Sequence, residues 1–279
     1  MSDLAGKTKE ICRILEIKPA RSKGQNFLIN ERVYEDIIKA ADISSGDEVL
    51  EVGPGLGYLT VRLAEKAKKV VAVELDDKLA AYLQTGFGVT NQEKVKIINQ
   101  DILQFNPRSE LAGKYKIVAN LPYNITSIFL RTFLSGAHKP ESIVLMLQKE
   151  VTQRIIAGPP EMSLLAVSVQ HYAEPEVIRQ VKADYFWPAP EVDSAVIKLT
   201  VKPQKFSVEQ DKSFFRLVKA GFSAKRKMLK NNLAGGLRIS PEKISIAFKS
   251  VGINDKERAE NLSLANWYQL FAALSKFMV

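Results

Sequence analysis

The chain has 279 residues, 46% of them hydrophobic and 25% charged, which suffices for two globular domains at about 100 to 200 residues each. Its apolar runs, such as residues 143–147, fall far short of the roughly 18 residues that a membrane span needs. The charged first ten residues lack the apolar core of a secretory signal, so a cytoplasmic protein with no membrane partner is expected. One cysteine, Cys12, and two histidines, His138 and His171, exclude an internal disulfide and a structural zinc module, and no metal is expected.

The net charge of +9 is unevenly placed. Basic and acidic residues number 25 and 25 over residues 1–199, but 15 and 6 over residues 200–279. A basic segment on a neutral one points to an anionic partner, and Lys225, Arg226, Lys227 and Lys230 form its richest cluster, in a helical pattern that can lie along phosphates. A solvated helix face on an ordinary domain is the plainer reading of such a cluster, and the motifs must decide.

From residue 48 to 148 short β-branched runs alternate with helical patterns, the signature of stacked βαβ units and a mostly parallel sheet. Strands are predicted over residues 48–53, 70–75, 95–99, 116–120 and 142–148, with helices over 58–67 and 77–87. A helix near 150–157 and strands near 177–182 and 195–201 follow, and the end of this region reads as antiparallel. At Lys202-Pro203 the β pattern stops, and helices are expected over 211–225, 227–233, 241–251 and 264–277. The third opens with Ser240 in a capping position and Pro241 in the first turn. The expected domains are therefore residues 1–203 and 204–279.

Glu51-Val52-Gly53-Pro54-Gly55-Leu56-Gly57 lies between the first strand and the first helix of this run, where bare backbone and a helix N-terminus can meet a nucleotide-bearing ligand. No Gly-Lys-Ser/Thr follows, so it is not a Walker A loop, and its GxGxG spacing is not the dinucleotide fingerprint. A tight connection with no ligand is the plain alternative. Glu74, at the end of the second strand, is placed to accept hydrogen bonds from both ribose hydroxyls, and Asp101, closing the third, from an adenine amine; a turn cap is the ordinary reading of such an Asp. Together with Gly53 and Gly55 these carboxylates describe an adenosine without phosphates, hence S-adenosylmethionine, whose sulfonium tolerates carboxylates nearby.

Asn120-Leu121-Pro122-Tyr123 follows the fourth strand. An exocyclic adenine amine is a poor nucleophile because its lone pair is delocalised into the ring. The Asn120 side-chain oxygen and the Leu121 carbonyl can accept from its N–H groups and so favour the pyramidal transition state. Pro122 stiffens the turn without a competing N–H, and Tyr123 offers a face on which an extruded base can stack. In the rigid loop Phe186-Trp187-Pro188-Ala189-Pro190, Phe186 is expected opposite Tyr123, with inward packing of Trp187 as an alternative.

These motifs together resemble the ribosomal RNA adenine N6,N6-dimethyltransferases, in particular the bacterial enzymes acting on two adjacent adenines in the 3′-terminal hairpin of small-subunit (16S) RNA. The resemblance spans nearly the whole chain and rests on Gly24-Gln25-Asn26-Phe27-Leu28, the glycine turn, Asn120-Leu121-Pro122-Tyr123-Asn124-Ile125, Leu147-Gln148-Lys149-Glu150-Val151, residues 186–194, and Arg258-Ala259-Glu260-Asn261-Leu262. It implies a Rossmann-like methyltransferase sheet of seven strands, six parallel and one antiparallel, with a small helical RNA-binding domain. It implies cofactor contacts at Asn26, Leu28, Gly53, Glu74, Asp101 and Asn120, with S-adenosylhomocysteine as a product. The assignments to Asn26 and Leu28 rest on the resemblance alone, since residues 25–29 read as an ordinary loop entering a helix. The implied substrate is RNA in an immature or assembling 30S particle, with no obligate protein partner. One departure stands out: where the family has Tyr-Gly-Arg-Leu-Ser-Val, this chain has Ser163-Leu164-Leu165-Ala166-Val167-Ser168-Val169. A large-subunit adenine methyltransferase of the macrolide-resistance type and a ribosome-assembly factor with secondary methylation remain the alternatives.

Overall fold

The computed structural model describes residues 3–19, 25–89, 93–121 and 125–278. In chain order these form α1 (Leu4–Ile14), β1 (Phe27–Leu28), α2 (Glu31–Ala41), β2 (Glu48–Val52), α3 (Tyr58–Lys66), β3 (Lys69–Glu74), α4 (Asp77–Val89), β4 (Val95–Asn99), β5 (Tyr115–Asn120), α5 (Thr126–Ser135), β6 (Ser142–Gln148), α6 (Lys149–Ile156), α7 (Leu164–Tyr172), β7 (Ala173–Val181), β8 (Phe186–Trp187), β9 (Ser194–Val201), α8 (Val208–Gly221), α9 (Leu229–Leu237), α10 (Pro241–Ser250) and α11 (Leu264–Leu274). They divide into two compact units, one of Met1–Thr152 with Glu174–Val201, the other of Gln153–Ala173 with Lys202–Val279.

The first unit is built on a seven-stranded sheet in the order β4-β3-β2-β5-β6-β9-β7. Neighbours from β4 to β6 pair in parallel, while β9 returns antiparallel to β6, with Ser142 opposite Thr200 and Gln148 opposite Ser194. Val49, Leu50, Val70, Val71, Ile117, Val118 and Ile143 are fully enclosed, as central strands covered on both faces require. The five predicted strands up to residue 148 each match an observed one to within a residue at either end. Helices α1, α5 and α7 and the small sheet formed by β1 and β8 are additions that the pattern did not predict. In α7 the run Leu164-Leu165-Ala166-Val167 has no polar face, so no helical period shows in the sequence.

The helical unit takes in residues 153–173, which the sequence places with the first domain, because Met162, Ala166 and Val167 are buried in its core with Phe214, Leu217, Phe248 and Trp267. Capping boxes at Ser207/Gln210 and Ser263/Asn266 start α8 and α11. Pro241 opens α10 as expected, although the Ser240 side chain makes no capping bond. The basic cluster departs from the expected helices 211–225 and 227–233, since α8 ends at Gly221 and α9 begins at Leu229. The Asn232 amide donates to the carbonyls of Gly221 at 2.7 Å and Ala224 at 2.9 Å, fixing a turn there. The two helices meet at Gly236, where a Cβ would lie 2.7 Å from that of Ala220.

Candidate active site

The sheet order reverses beside β2: β3 and β4 lie to one side, β5 and β6 to the other. Connections leaving β2 and β5 therefore diverge, and a crevice opens at the carboxyl ends of the strands. A cavity of about 560 Å³ lies there, and its lining includes Asn26, Leu28, Gly53, Gly55, Glu74, Asp101 and Asn120. The structure thus brings together every residue that the sequence and the resemblance assign to a cofactor.

The glycine turn is a backbone requirement as much as a sequence motif. Gly53, Gly55 and Gly57 have φ of +66°, +58° and +81°, in the left-handed region that side chains disfavour. A Cβ on Gly55 would fall 3.3 Å from the Phe27 ring, and one on Gly57 2.7 Å from Leu83. Glu74 locks this turn from the end of β3. One carboxylate oxygen accepts from the Gly55 N–H at 3.1 Å and the other from the Asp76 N–H at 2.9 Å. Burial raises the Glu74 pKa, and these backbone bonds offset part of the rise. Asp101 accepts from the Leu103 N–H at 2.9 Å, so it caps the 3-10 turn at Ile102–Gln104 while also lining the cavity. Asn120, the last residue of β5, donates from its amide nitrogen to the Asn26 carbonyl at 3.4 Å.

Residues 25–28 become a cavity wall through long-range pairing. β1 runs antiparallel to β8, Phe27 opposite Trp187 and Leu28 opposite Phe186. The Ile29 N–H donates to the Tyr185 carbonyl at 2.8 Å, the Tyr34 hydroxyl to the Leu28 carbonyl at 2.9 Å, and the Gln25 amide to Asp76 at 3.2 Å. This pairing also corrects the expectation for Phe186. Adjacent strand residues face opposite ways, and Phe186, 4% exposed, points into a core with Leu28, Tyr34, Val144 and Val196 rather than offering a stacking face. Trp187 is the half-buried ring of the pair, packed against the cluster of Cys12, Phe27, Leu56 and Leu79. Leu121 has a buried side chain, and the other two positions of that motif, Pro122 and Tyr123, lie outside the described residues.

In the helical unit the basic cluster separates into two parts. Lys225, Arg226 and Lys227 are exposed in the turn between α8 and α9, with Lys225 4.0 Å from Glu260. Lys230 is paired with Asp255 at 3.0 Å, and together with Ser245 it draws the Asp255 carboxyl below its usual pKa. The departure at residue 163 has a local explanation, because the Ser163 hydroxyl accepts from the Ala166 N–H at 3.1 Å and starts α7.

Sequence reasoning missed Glu51 as a site residue. It lies in β2 between Leu50 and Val52, is 1% exposed and lines the cavity. Among the described residues neither carboxylate oxygen has a hydrogen-bond partner. Burial, reinforced by the Glu74 charge and only partly opposed by the nearby Thr60 hydroxyl, pushes its pKa up to about 8. The available signal was a carboxylate inside a strand that should be apolar throughout. Tyr34 and Tyr58, also in the lining, sit on helical faces that read as core.

Comparison with known proteins agrees with this geometry. A ribosomal RNA small subunit methyltransferase A of Dehalococcoides mccartyi (strain CBDB1) is 44% identical over 96% of this chain and 92% of its own length. The protein of that description from Alkaliphilus metalliredigens is 39% identical over 95% of this chain and 94% of its own. Among solved structures, a dimethyladenosine transferase from Plasmodium falciparum superposes with a TM-score of 0.77 at 24% identity, covering 90% of this chain and 98% of that one. The 23S rRNA methyltransferase ErmE gives 0.74 at 24% identity, covering 90% of this chain and 100% of its own, so the fold is shared with both. The model of the ribosomal RNA adenine dimethylase family matches residues 18–276, and the chain belongs to that family.

Proposed function

We propose that the chain transfers methyl groups from S-adenosylmethionine to N6 of two adjacent adenines in the 3′-terminal hairpin of small-subunit rRNA. The products are N6,N6-dimethyladenosine and S-adenosylhomocysteine, and the substrate is an assembling 30S particle in the cytoplasm. The observation that carries this reading is the charge of the cavity. Its lining holds Glu51, Glu74, Asp76 and Asp101 and, among the described residues, no Lys, Arg or His. Glu74, Asp76 and Asp101, with the Glu51 carboxyl beside them, repel the phosphates of a nucleotide cofactor and suit a cation attached to a nucleoside.

The residues fit such a cofactor in detail. Each Glu74 oxygen carries one backbone bond and retains acceptor capacity, enough for a pair of ribose hydroxyls. Asp101 has one oxygen engaged by Leu103 and the other for an exocyclic amine. Bound here, S-adenosylmethionine supplies an activated methyl on a positively charged sulfur.

The chain's own contribution is to hold the acceptor amine. Because the Asn120 amide nitrogen is engaged by the Asn26 carbonyl, its oxygen is the atom left to accept an adenine N–H, with the Leu121 carbonyl as a second acceptor. Two acceptors stabilise the amine as it pyramidalises, and no strong general base is needed. A base in structured RNA must be extruded to reach them, and the exposed Lys225, Arg226 and Lys227 supply contacts to phosphate.

The test is methyl transfer from labelled S-adenosylmethionine to undermethylated small-subunit particles and, in parallel, to large-subunit RNA, followed by nucleoside mass spectrometry. Dimethyladenosine confined to the small-subunit hairpin is expected. Label only in large-subunit RNA would overturn the reading.

A further inference from the structure

Glu51 is costly where it stands. An ionised carboxylate withdrawn from water needs a counter-charge or hydrogen-bond donors, and both Glu51 oxygens lack hydrogen-bond partners among the described residues. The groups around it do not supply one. From β3 comes Glu74, a second carboxylate. From α2 comes Tyr34, whose hydroxyl is spent on the Leu28 carbonyl. From α3 come the Thr60 hydroxyl, which has no hydrogen-bond partner among the described residues and opposes the rise in the Glu51 pKa only in part, and Arg62, which is ion-paired with Glu31 and lies over the Tyr34 ring at 4.7 Å. From β5 and β6 come Asn120, already bonded to Asn26, and the thioether of Met146.

We propose that Glu51 holds a proton in the ligand-free protein and gives it up to solvent when a cationic ligand enters the cavity, so that cofactor binding and proton release are one coupled event. The proposal rests on the reading that this cavity takes S-adenosylmethionine. The geometry supplies the reason: a buried carboxyl lines the cavity wall, other carboxylates are its neighbours there, and among the described residues no basic side chain stands in the lining. Its raised pKa, near 8, agrees. The arriving positive charge is the missing partner, and once it is present the ionised form becomes the stable one. By linkage, affinity for the cationic ligand then rises with pH, by up to about tenfold per unit, until Glu51 of the ligand-free protein is itself ionised.

The experiment is titration calorimetry of the full chain with S-adenosylhomocysteine and with S-adenosylmethionine at pH 7, in buffers of differing ionisation enthalpy, which counts protons released. Both ligands carry an α-amine that can itself exchange a proton on binding, so the readout is the difference between the parent protein and Glu51→Gln. The parent should release close to one proton more than the variant, and the difference should vanish at pH 9 and above. 5′-Methylthioadenosine, which keeps the nucleoside but lacks the ammonium and sulfonium, should bind without the Glu51-dependent proton. A second measurement needs no variant: adding S-adenosylhomocysteine to the parent at pH 7 should remove a protonated-carboxyl band from the infrared difference spectrum. Tight binding with equal proton counts in parent and variant, and no loss of that band, would overturn the coupling alone. Absence of binding by either cofactor form would overturn the functional reading and the coupling with it.

Discussion

Each of the two units buries an ionisable side chain, His171 in one and Glu51 in the other, and treats it in the opposite way. In the helical unit His171, its side chain 1% exposed, is bonded at one ring nitrogen to Asp211 at 2.9 Å and at the other to the Tyr268 hydroxyl at 3.0 Å. Asp211 accepts again from Tyr172 at 3.3 Å, and the rings of Phe206, Phe214 and Phe215 enclose the network. Asn232 is likewise engaged twice. The exception there is an indole N–H, that of Trp267, rather than a charge. In the α/β unit Glu51 is just as deeply buried, and neither of its oxygens has a hydrogen-bond partner among the described residues. Satisfied polar groups rigidify a core; an unsatisfied carboxyl in a cavity wall marks where a ligand completes the structure.

The largest test of this contrast is at Asn120. If the Asn26 carbonyl orients its amide so that its oxygen faces the adenine, Asn120→Ala should lower kcat by about 10²- to 10³-fold with little change in cofactor affinity. Single-turnover methyl transfer and the Kd for S-adenosylhomocysteine separate the two. Equal losses in both would make Asn120 chiefly a cofactor ligand.

Next come two substitutions with opposite signs. A carboxyl whose ordinary pKa of 4.5 rises to about 8 on folding keeps a proton that the unfolded chain has lost. Its contribution to stability is therefore full below pH 4.5 and declines as pH rises to 8. Glu51→Gln has no proton to lose and should stabilise the ligand-free protein at pH 7 by on the order of 3 kcal/mol. Asp211→Ala, which strips partners from His171 and Tyr172, should instead cost about 2 kcal/mol and leave the Kd for S-adenosylhomocysteine unchanged. Thermal melts at pH 5 and pH 7 read both effects. A Glu51→Gln protein no more stable than the parent at pH 7 would erase the distinction between the units.

Much of this was legible in the sequence for a local reason. The Gly53 turn, Glu74, Asp101 and Asn120 each directly follow or close a β-branched run, so finding the strands places their ends on one edge of the sheet. What escaped was non-local. Asn26 and Leu28 reach the cavity only because β1 pairs with β8, nearly 160 residues later, and a two-residue strand has no periodicity to read. The inward turn of Phe186 follows from the same register. Residues 153–173 were assigned to the wrong side of the boundary because α7, buried without a polar face, looks like neither a strand nor an amphipathic helix.

The smallest effect on the chemistry is expected in the helical unit's surface. Lys225, Arg226 and Lys227 are exposed in the turn after α8, whereas Lys230 is held by Asp255. Replacing the first three by alanine removes charges that can neutralise phosphates, and each phosphate contact contributes about 0.7 to 0.9 to the dependence of log affinity on log salt. The triple variant should therefore flatten that slope by about 2 to 3 if all three lie on RNA, raising KM while kcat at saturating substrate stays near that of the parent. Lys230→Ala should flatten it far less, because the Asp255 pairing already neutralises that ammonium. Binding of small-subunit RNA measured across a salt series decides the matter. Equal slopes for the triple variant and the parent would mean that this turn is a solvated surface, and that the excess positive charge of the last 80 residues meets RNA elsewhere on the unit.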